Sequence, residues 1–293
     1  MSNLGAVVQF TIDVLSLGSL YALMALGLVI IYGILRLVNF AYGELIMVAG
    51  YALFLLNPTP LPWIVMGVLA VIVSVATAYL TERVAFRPVR EQSLTAVLIT
   101  SFAVSTMLQN AAMLFVSPRA RVVPLPEVFT VQLTIAERIV PLRNLIAIGV
   151  SVVLLAAFAL LLKRTILGIA LRAAADKFTM TRMLGIPANL VIGTAFAISG
   201  LLAGTVALFW FGRTGSVTPE IGLWPLLVAF VATVIGGMRS LLGAVIGGYV
   251  LALIQMAFSN FLPPALLEFR VAFVFTLVIL ILLFRPEGLI RGR

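Results

Sequence analysis

From Leu45 to Thr81 the chain runs for 37 residues without a charged side chain. Seven other stretches share that property: Val14–Leu35, Gln92–Pro118, Asn144–Leu162, Met183–Gly212, Ile221–Met238, Ser240–Leu267 and Val271–Phe284. A helix needs about 20 predominantly apolar residues to cross the hydrocarbon of a bilayer. Runs of this length leave few folds other than a polytopic helix bundle, because only helices and closed barrels satisfy their own backbone polar groups in lipid. Asn57-Pro58-Thr59-Pro60-Leu61-Pro62 breaks the longest run into two spans. The total is eight or nine transmembrane segments. A break over Met238–Leu242 predicts re-entrant half-helices around Gly236–Gly248. The fold class read from the sequence is therefore all-α, one transmembrane domain over residues 1–293 with a loop at 163–188 inside it.

Composition agrees and removes several chemistries. The 293 residues are 63% hydrophobic and 10% charged, with mean hydropathy +1.23; soluble domains carry about 25% charged residues. The absence of His and Cys excludes disulfides, thiolate catalysis, imidazole relays and Cys/His metal sites. The only lysines are Lys163, after Leu162, and Lys177, after Asp176, so neither belongs to a GxxxxGK[ST] phosphate loop. An intramembrane enzyme would need a nucleophile and a base facing each other, for which only carboxylate or serine chemistry remains. The start, with no basic residue before Arg36, lacks the charged region of a cleavable signal.

The net charge of +9 is a topology signal rather than a nucleic-acid patch. With the Lys163–Arg182 loop placed in the cytoplasm, that side holds Arg36, Arg83, Arg87, Arg90, Lys163, Arg164, Arg172, Lys177, Arg182, Arg239, Arg285, Arg291 and Arg293. The other side holds Arg119, Arg121, Arg138, Arg143, Arg213 and Arg270. The N-terminus is then expected outside and the C-terminus inside. Small residues at four-residue spacing, Gly200/Gly204 and Gly243/Gly247, predict close helix packing.

Two groups of polar residues stand out. Asn39, Tyr42 and Glu44 precede an apolar run, where Glu44 either caps a helix at the interface, pairs with Arg36, or lines the cytoplasmic end of a pathway. Gln109 and Asn110 lie within the fourth span and serve interhelical hydrogen bonding or substrate contact. No span places a carboxylate at its centre, which weakens the case for a self-sufficient secondary carrier or channel without removing that alternative. In the inner loop, Ala173–Leu184 favours helix, with Gly185 suited to the C-terminal cap and Pro187 barring continuation. Such a helix either lies on lipid or inserts into a groove on a cytoplasmic partner.

Gly168-Ile-Ala-Leu-Arg172-Ala-Ala-Ala-Asp176, followed by Arg182-Met-Leu-Gly185-Ile186, resembles the coupling loop of ATP-binding-cassette importer permeases. Leu17-Gly-Ser-Leu-Tyr21-Ala-Leu-Met-Ala-Leu-Gly27, Ile31-Tyr-Gly-Ile-Leu-Arg36-Leu-Val-Asn39-Phe-Ala41 and Gly43-Glu44 resemble the first block of the branched-chain amino-acid importer permeases. Glu82-Arg-Val-Ala-Phe-Arg87-Pro-Val-Arg90, Leu108-Gln-Asn110, Gly236–Gly248 and Phe284–Ile290 continue the likeness, of the LivH-like subtype. Tyr42 stands where that family usually has His. The loop is less acidic at Lys177–Thr181, and Arg239 interrupts a stretch that is normally uncharged. The resemblance implies a bacterial inner-membrane subunit that binds no cofactor itself. Two cytoplasmic ATPase subunits use ATP and Mg, a paralogous permease completes a heterodimer in preference to a homodimer, and an extracytoplasmic binding protein delivers the solute. It assigns the ATPase contact to Arg172, Ala173, Ala174, Asp176, Phe178, Arg182, Leu184 and Gly185. Lipid is the other partner, and nucleic acid is not one.

Overall fold

The computed structural model describes residues 3–290 apart from 91, 124–125, 136–137, 184–185, 239 and 286–287. Its helices are α1 (Asn3–Leu35), α2 (Tyr42–Leu56), α3 (Trp63–Thr81), α4 (Arg87–Val89), α5 (Leu94–Phe115), α6 (Glu127–Thr130), α7 (Leu142–Arg164), α8 (Ile166–Met183), α9 (Ala188–Thr214), α10 (Leu223–Gly236), α11 (Leu241–Phe261) and α12 (Arg270–Phe284). A π turn over Glu82–Phe86 joins α3 to α4, and a 3-10 turn over Pro264–Phe269 leads into α12. Four short strands complete the chain: β1 (Arg121–Val122), β2 (Gln132–Ile135), β3 (Arg138–Pro141) and β4 (Ser216–Val217). β1 pairs antiparallel with β4, and β2 with β3 as a hairpin.

Among the described residues, seven helical segments are long and apolar enough to cross a membrane, including Gly5–Leu35, Trp63–Val89 and Asn189–Thr214. The nine apolar segments read from the sequence all form helices. Two of them, α2 and α10, have only 15 and 14 residues. At 1.5 Å per residue they extend about 22 and 21 Å, short of the ~30 Å hydrocarbon core. The expected break after α10 is present, with Gly237 at φ +111° and Ser240 accepting the Gly243 N–H as an N-cap. Beyond it α11 is a full-length helix of 21 residues rather than a half-helix.

The chain forms two compact units. The first comprises Met1–Val29, Pro126–Val153 and Val228–Arg293. Here α11 lies directly against α1, because a methyl group on Gly248 would fall 2.4 Å from the Ala22 nitrogen. Polar bonds join the same helices: Ser19 Oγ to Tyr249 OH at 3.0 Å, and Tyr21 OH to Gln255 Oε1. Asn144 Nδ2 donates to Asp13 Oδ1 at 3.0 Å, which ties the start of α7 to α1. The N–H groups of Leu289 and Ile290 donate to the carbonyls of Ile235 and Gly236, capping the C-terminal end of α10.

The second unit comprises Ile30–Leu125 and Leu154–Leu227. Its centre is α2, where Tyr42 through Met47 and Ala49 through Leu53 are buried. α3, α5 and α9 pack around it. Ser74 of α3 is fully buried, with Oγ 2.8 Å from the Gly200 carbonyl of α9 and 3.2 Å from the Leu45 carbonyl of α2. One hydroxyl thus bridges three helices. The Gly200/Gly204 pair makes the close packing that its spacing predicts: methyl groups there would lie 2.8 Å from the Ser74 carbonyl oxygen and 2.9 Å from Val71 Cα. At the end of α3, Arg90 bonds to Glu82 at 3.0 Å and to Asn189 at the start of α9. Outward residues such as Leu114, Phe115, Leu160 and Leu190 are exposed and apolar, suited to lipid.

Gly200→Leu should wedge α3 from α9 and destabilise the protein by ~1–3 kcal/mol. Gly149→Leu, on a face of α7 with nothing within 4 Å of the added carbon, should leave stability unchanged. Thermal unfolding of the detergent-solubilised variants checks both.

Candidate functional site

The loop between α1 and α2 is built to start a helix inside protein. Arg36 ends α1 at φ +57°, with its N–H on the Tyr32 carbonyl. Its guanidinium donates to the Ala175 carbonyl of α8 at 2.8 Å, whereas Glu44 bonds elsewhere. Asn39, 3% exposed, accepts the Ala41 N–H on Oδ1 at 3.0 Å, and its own carbonyl accepts the Tyr42 N–H at 3.1 Å. This Asx-type turn replaces water for backbone groups that have none within reach. Asn39 therefore shapes the start of α2.

Glu44 lies in the first turn of α2 and is 1% exposed. Its Oε1 accepts from Gln109 Nε2 at 2.7 Å and Ser105 Oγ at 2.9 Å. Ser105 stands midway along α5, and Leu45, the next residue to Glu44, meets Ser74 well inside α3. Glu44 thus sits at the depth of the bundle's middle. The sequence reading near one end of a span is corrected, and so is the statement that no carboxylate occupies a central position. Linear distance from Arg36 misleads because the 36–41 segment is not helical and carries the chain inward before α2 begins.

The second short helix starts at the same place. A methyl group on Gly43 would lie 1.9 Å from the Gly222 carbonyl oxygen, and one on Gly222 would lie 2.6 Å from Glu44 Oε2. Only glycine permits this approach of two backbones. Pro225, in the first turn of α10, lacks an N–H where a helix has no partner for it. The first turns of two short helices and one carboxylate therefore converge within the second unit.

Of the five polar residues singled out in the sequence, the structure joins Glu44 directly to Gln109. Tyr42 is fully buried, and its hydroxyl has no hydrogen-bond partner among the described residues. Asn110 is exposed and bonds to the Thr106 carbonyl of its own helix; adjacent helical positions point about 100° apart, so Gln109 and Asn110 cannot share a face. Sequence reasoning missed Ser105 and Gly222. Ser105 is one turn from Gln109 on the same side of a helix, a signal present in the spacing. Gly222 carried none. Among the described residues, no group of three acidic side chains is placed to hold a metal ion.

The loop helix α8 begins at Ile166, earlier than the expected Ala173, because Thr165 Oγ1 accepts the Gly168 N–H at 3.0 Å and caps it. α8 packs against α9. Ala170, Leu171 and Ala174 are buried, Ala173 is half-buried and Arg172 is exposed. Asp176, Phe178 and Arg182 belong to the helix, though their side chains are not described; Leu184 and the expected cap Gly185 lie outside the described residues. Gly43→Ala should force the first turns of α2 and α10 apart and destabilise the protein by ~1–3 kcal/mol or more, measurable as a lowered unfolding temperature.

Comparison with known proteins agrees with this architecture. The family model for the branched-chain amino acid transport system / permease component matches residues 10–283. The chain is 32% identical to the high-affinity branched-chain amino acid transport system permease protein BraD of Pseudomonas aeruginosa, over 96% of this chain and 95% of that one. It is 31% identical to LivH of Escherichia coli K12, the permease protein of a transport system of the same description, over 94% and 92% of the two chains. A probable branched-chain amino acid transport permease protein LivH of Methanocaldococcus jannaschii is 28% identical over 92% and 88%. On this near full-length likeness, the chain belongs to the family of permease components of branched-chain amino acid transport systems.

Proposed function

We propose that this chain is the single-domain transmembrane subunit of an ATP-binding-cassette importer that carries branched-chain amino acids inward. It works with a paralogous permease, two cytoplasmic ATPase subunits and an extracytoplasmic binding protein. The observation that carries the reading is the meeting of the first turns of two short helices, with Glu44 beside them, inside the second unit. Irregular backbone is tolerated at membrane depth only where protein or a water-filled cavity surrounds it, and such breaks mark transport sites. Asn39, Tyr42, Glu44 and Gln109 then belong to the pathway and its supports, and Asn110 to its outer wall.

In this reading α8 is the coupling helix. It is anchored on one side through its buried alanines and the Arg36–Ala175 bond, and it presents Arg172 outward. ATP and Mg are held by the partners, whose closure pushes α8 and shifts the bundle between outward and inward access. The distribution of Lys and Arg along the chain argues for an outside N-terminus and a cytoplasmic C-terminus. Arg36 meets α8 and Arg90 meets Asn189 at ends assigned to the cytoplasm, while β1 pairs with β4 at ends assigned outside. A gradient-driven carrier is the second reading, favoured by the same buried Glu44, since ion coupling uses ionisable groups at that depth.

Reconstitution decides between them. Vesicles holding the chain with its permease partner, ATPases and binding protein should accumulate L-leucine only with ATP; ATP-independent uptake by this chain alone would overturn the importer reading. Arg172→Glu should lower uptake by about tenfold or more, equivalent to ~1.4 kcal/mol or more, while ATP hydrolysis and binding of L-leucine to the binding protein persist. Unchanged uptake in that variant would remove α8 as the coupling element.

A further inference from the structure

Lipid tails offer no hydrogen bond, so a polar side chain on the outside of a membrane helix needs a partner from its own backbone or from another helix. Thr11 and Thr77 meet this need within their own helices, donating to the Val7 and Val73 carbonyls at 2.8 Å. Thr106 of α5 does not. It is exposed, and its hydroxyl makes no hydrogen bond among the described residues. Asn110, one turn further and also exposed, donates from Nδ2 to the Thr106 carbonyl at 2.8 Å. That bond leaves Oδ1 and the second N–H of its amide without a partner among the described residues.

Both groups lie at hydrocarbon depth. α5 has 22 residues and extends about 33 Å. Thr106 stands about 18 Å and Asn110 about 24 Å from its start, too far in from either end for such short side chains to reach water across a ~30 Å core. Ile99, Ala103, Thr106 and Asn110 are all exposed and succeed one another at intervals of four, three and four residues, which keeps them on one face. Val97, Ser101, Val104 and Ala112 form the buried side of the same helix. The outward face of α7 is different: Val152, Val153 and Leu160 make an apolar surface suited to lipid.

Depth selects the partner. In the importer described above, the ATPase subunits lie in the cytoplasm and the binding protein lies outside, so the second permease alone reaches the hydrocarbon. We propose that the 99–110 face of α5 packs against a transmembrane helix of the paralogous permease, whose side chains complete the hydrogen bonds of Thr106 and Asn110. The proposal rests on the importer reading and assigns a surface to its heterodimer. Thr106 offers a hydroxyl that donates or accepts, and Asn110 an N–H and a carbonyl oxygen. The facing helix therefore carries serine, threonine, asparagine or glutamine at matching depth. Ala103, one turn before Thr106 and Met107, has too little bulk to hold that helix away.

The chain has no cysteine, so a single introduced one reports on its own position. Ala103→Cys and, on α7, Leu160→Cys each receive a benzophenone maleimide in the complete complex of both permeases, ATPases and binding protein, held in phosphatidylcholine–phosphatidylglycerol vesicles. Illumination should join the Ala103→Cys label to the partner permease, identified from the mass of the cross-linked peptides, and the Leu160→Cys label to lipid. Thr106→Val combined with Asn110→Leu should weaken association of the two permeases in vesicles about threefold to thirtyfold, the range for interhelical hydrogen bonds. Asn110→Gln, which keeps the amide, should retain most of the association. Adducts of Ala103→Cys with lipid alone or with a second copy of this chain, or unchanged association in the double variant, would overturn the proposal. Failure of the importer reading is distinguishable, because the wild-type complex would then show no ATP-dependent uptake; a complex that transports but gives no such cross-link removes this interface alone.

Discussion

Inside hydrocarbon every backbone N–H and C=O must find its partner within the protein, so a helix can begin at the middle of a bundle only where other chain encloses it. The second unit is organised around that constraint. α2 starts in the interior, and the turn at Asn39, the Ser74 hydroxyl and the glycine contact at Gly43 and Gly222 are what make that start tolerable. The surrounding helices conform to it: α9 approaches α3 through Gly200 and Gly204 and closes the wall around α2. A conventional span, with its ends at the membrane surfaces, would need none of these devices.

The chemistry of the site is a consequence of the same geometry. Because α2 begins at depth, the acidic residue of its first turn is carried to depth as well. An acidic residue in a first turn is an ordinary helix feature at a surface, favoured by the dipole. In the interior it becomes a group the protein half satisfies, with two donors on one oxygen and, among the described residues, none on the other. The loop helix α8 solves a different problem: it packs on α9 through small buried residues and leaves Arg172 exposed.

Much of this was legible in the residue order. Charge-free runs located the helices, since burial in lipid demands apolar length whatever the tertiary arrangement. The Gly200/Gly204 spacing announced a close helix contact, because four residues return to the same face. Glu44 and Gln109 were recognisable as polar groups among apolar neighbours. Their pairing was not, as they lie 65 positions apart. Gly222 was invisible as a site residue, since its contribution is the absence of a side chain beside a backbone from another part of the chain. Asn110 looked equivalent to Gln109, although one residue of helical rotation turns it to the opposite surroundings.

The sequence alone determined that this chain lives in a membrane as a helical bundle, does no thiol or imidazole chemistry, lacks a phosphate loop of its own, and belongs with permeases. Those properties depend on composition and on short-range order, which folding leaves unchanged. Only the tertiary structure decided that α2 is a short helix starting in the interior, that Glu44 stands level with the middle of α5, and that its second oxygen packs against Gly222. Depth is a property of what packs around a residue; hydropathy along a line does not record where a non-helical segment such as 36–41 takes the chain.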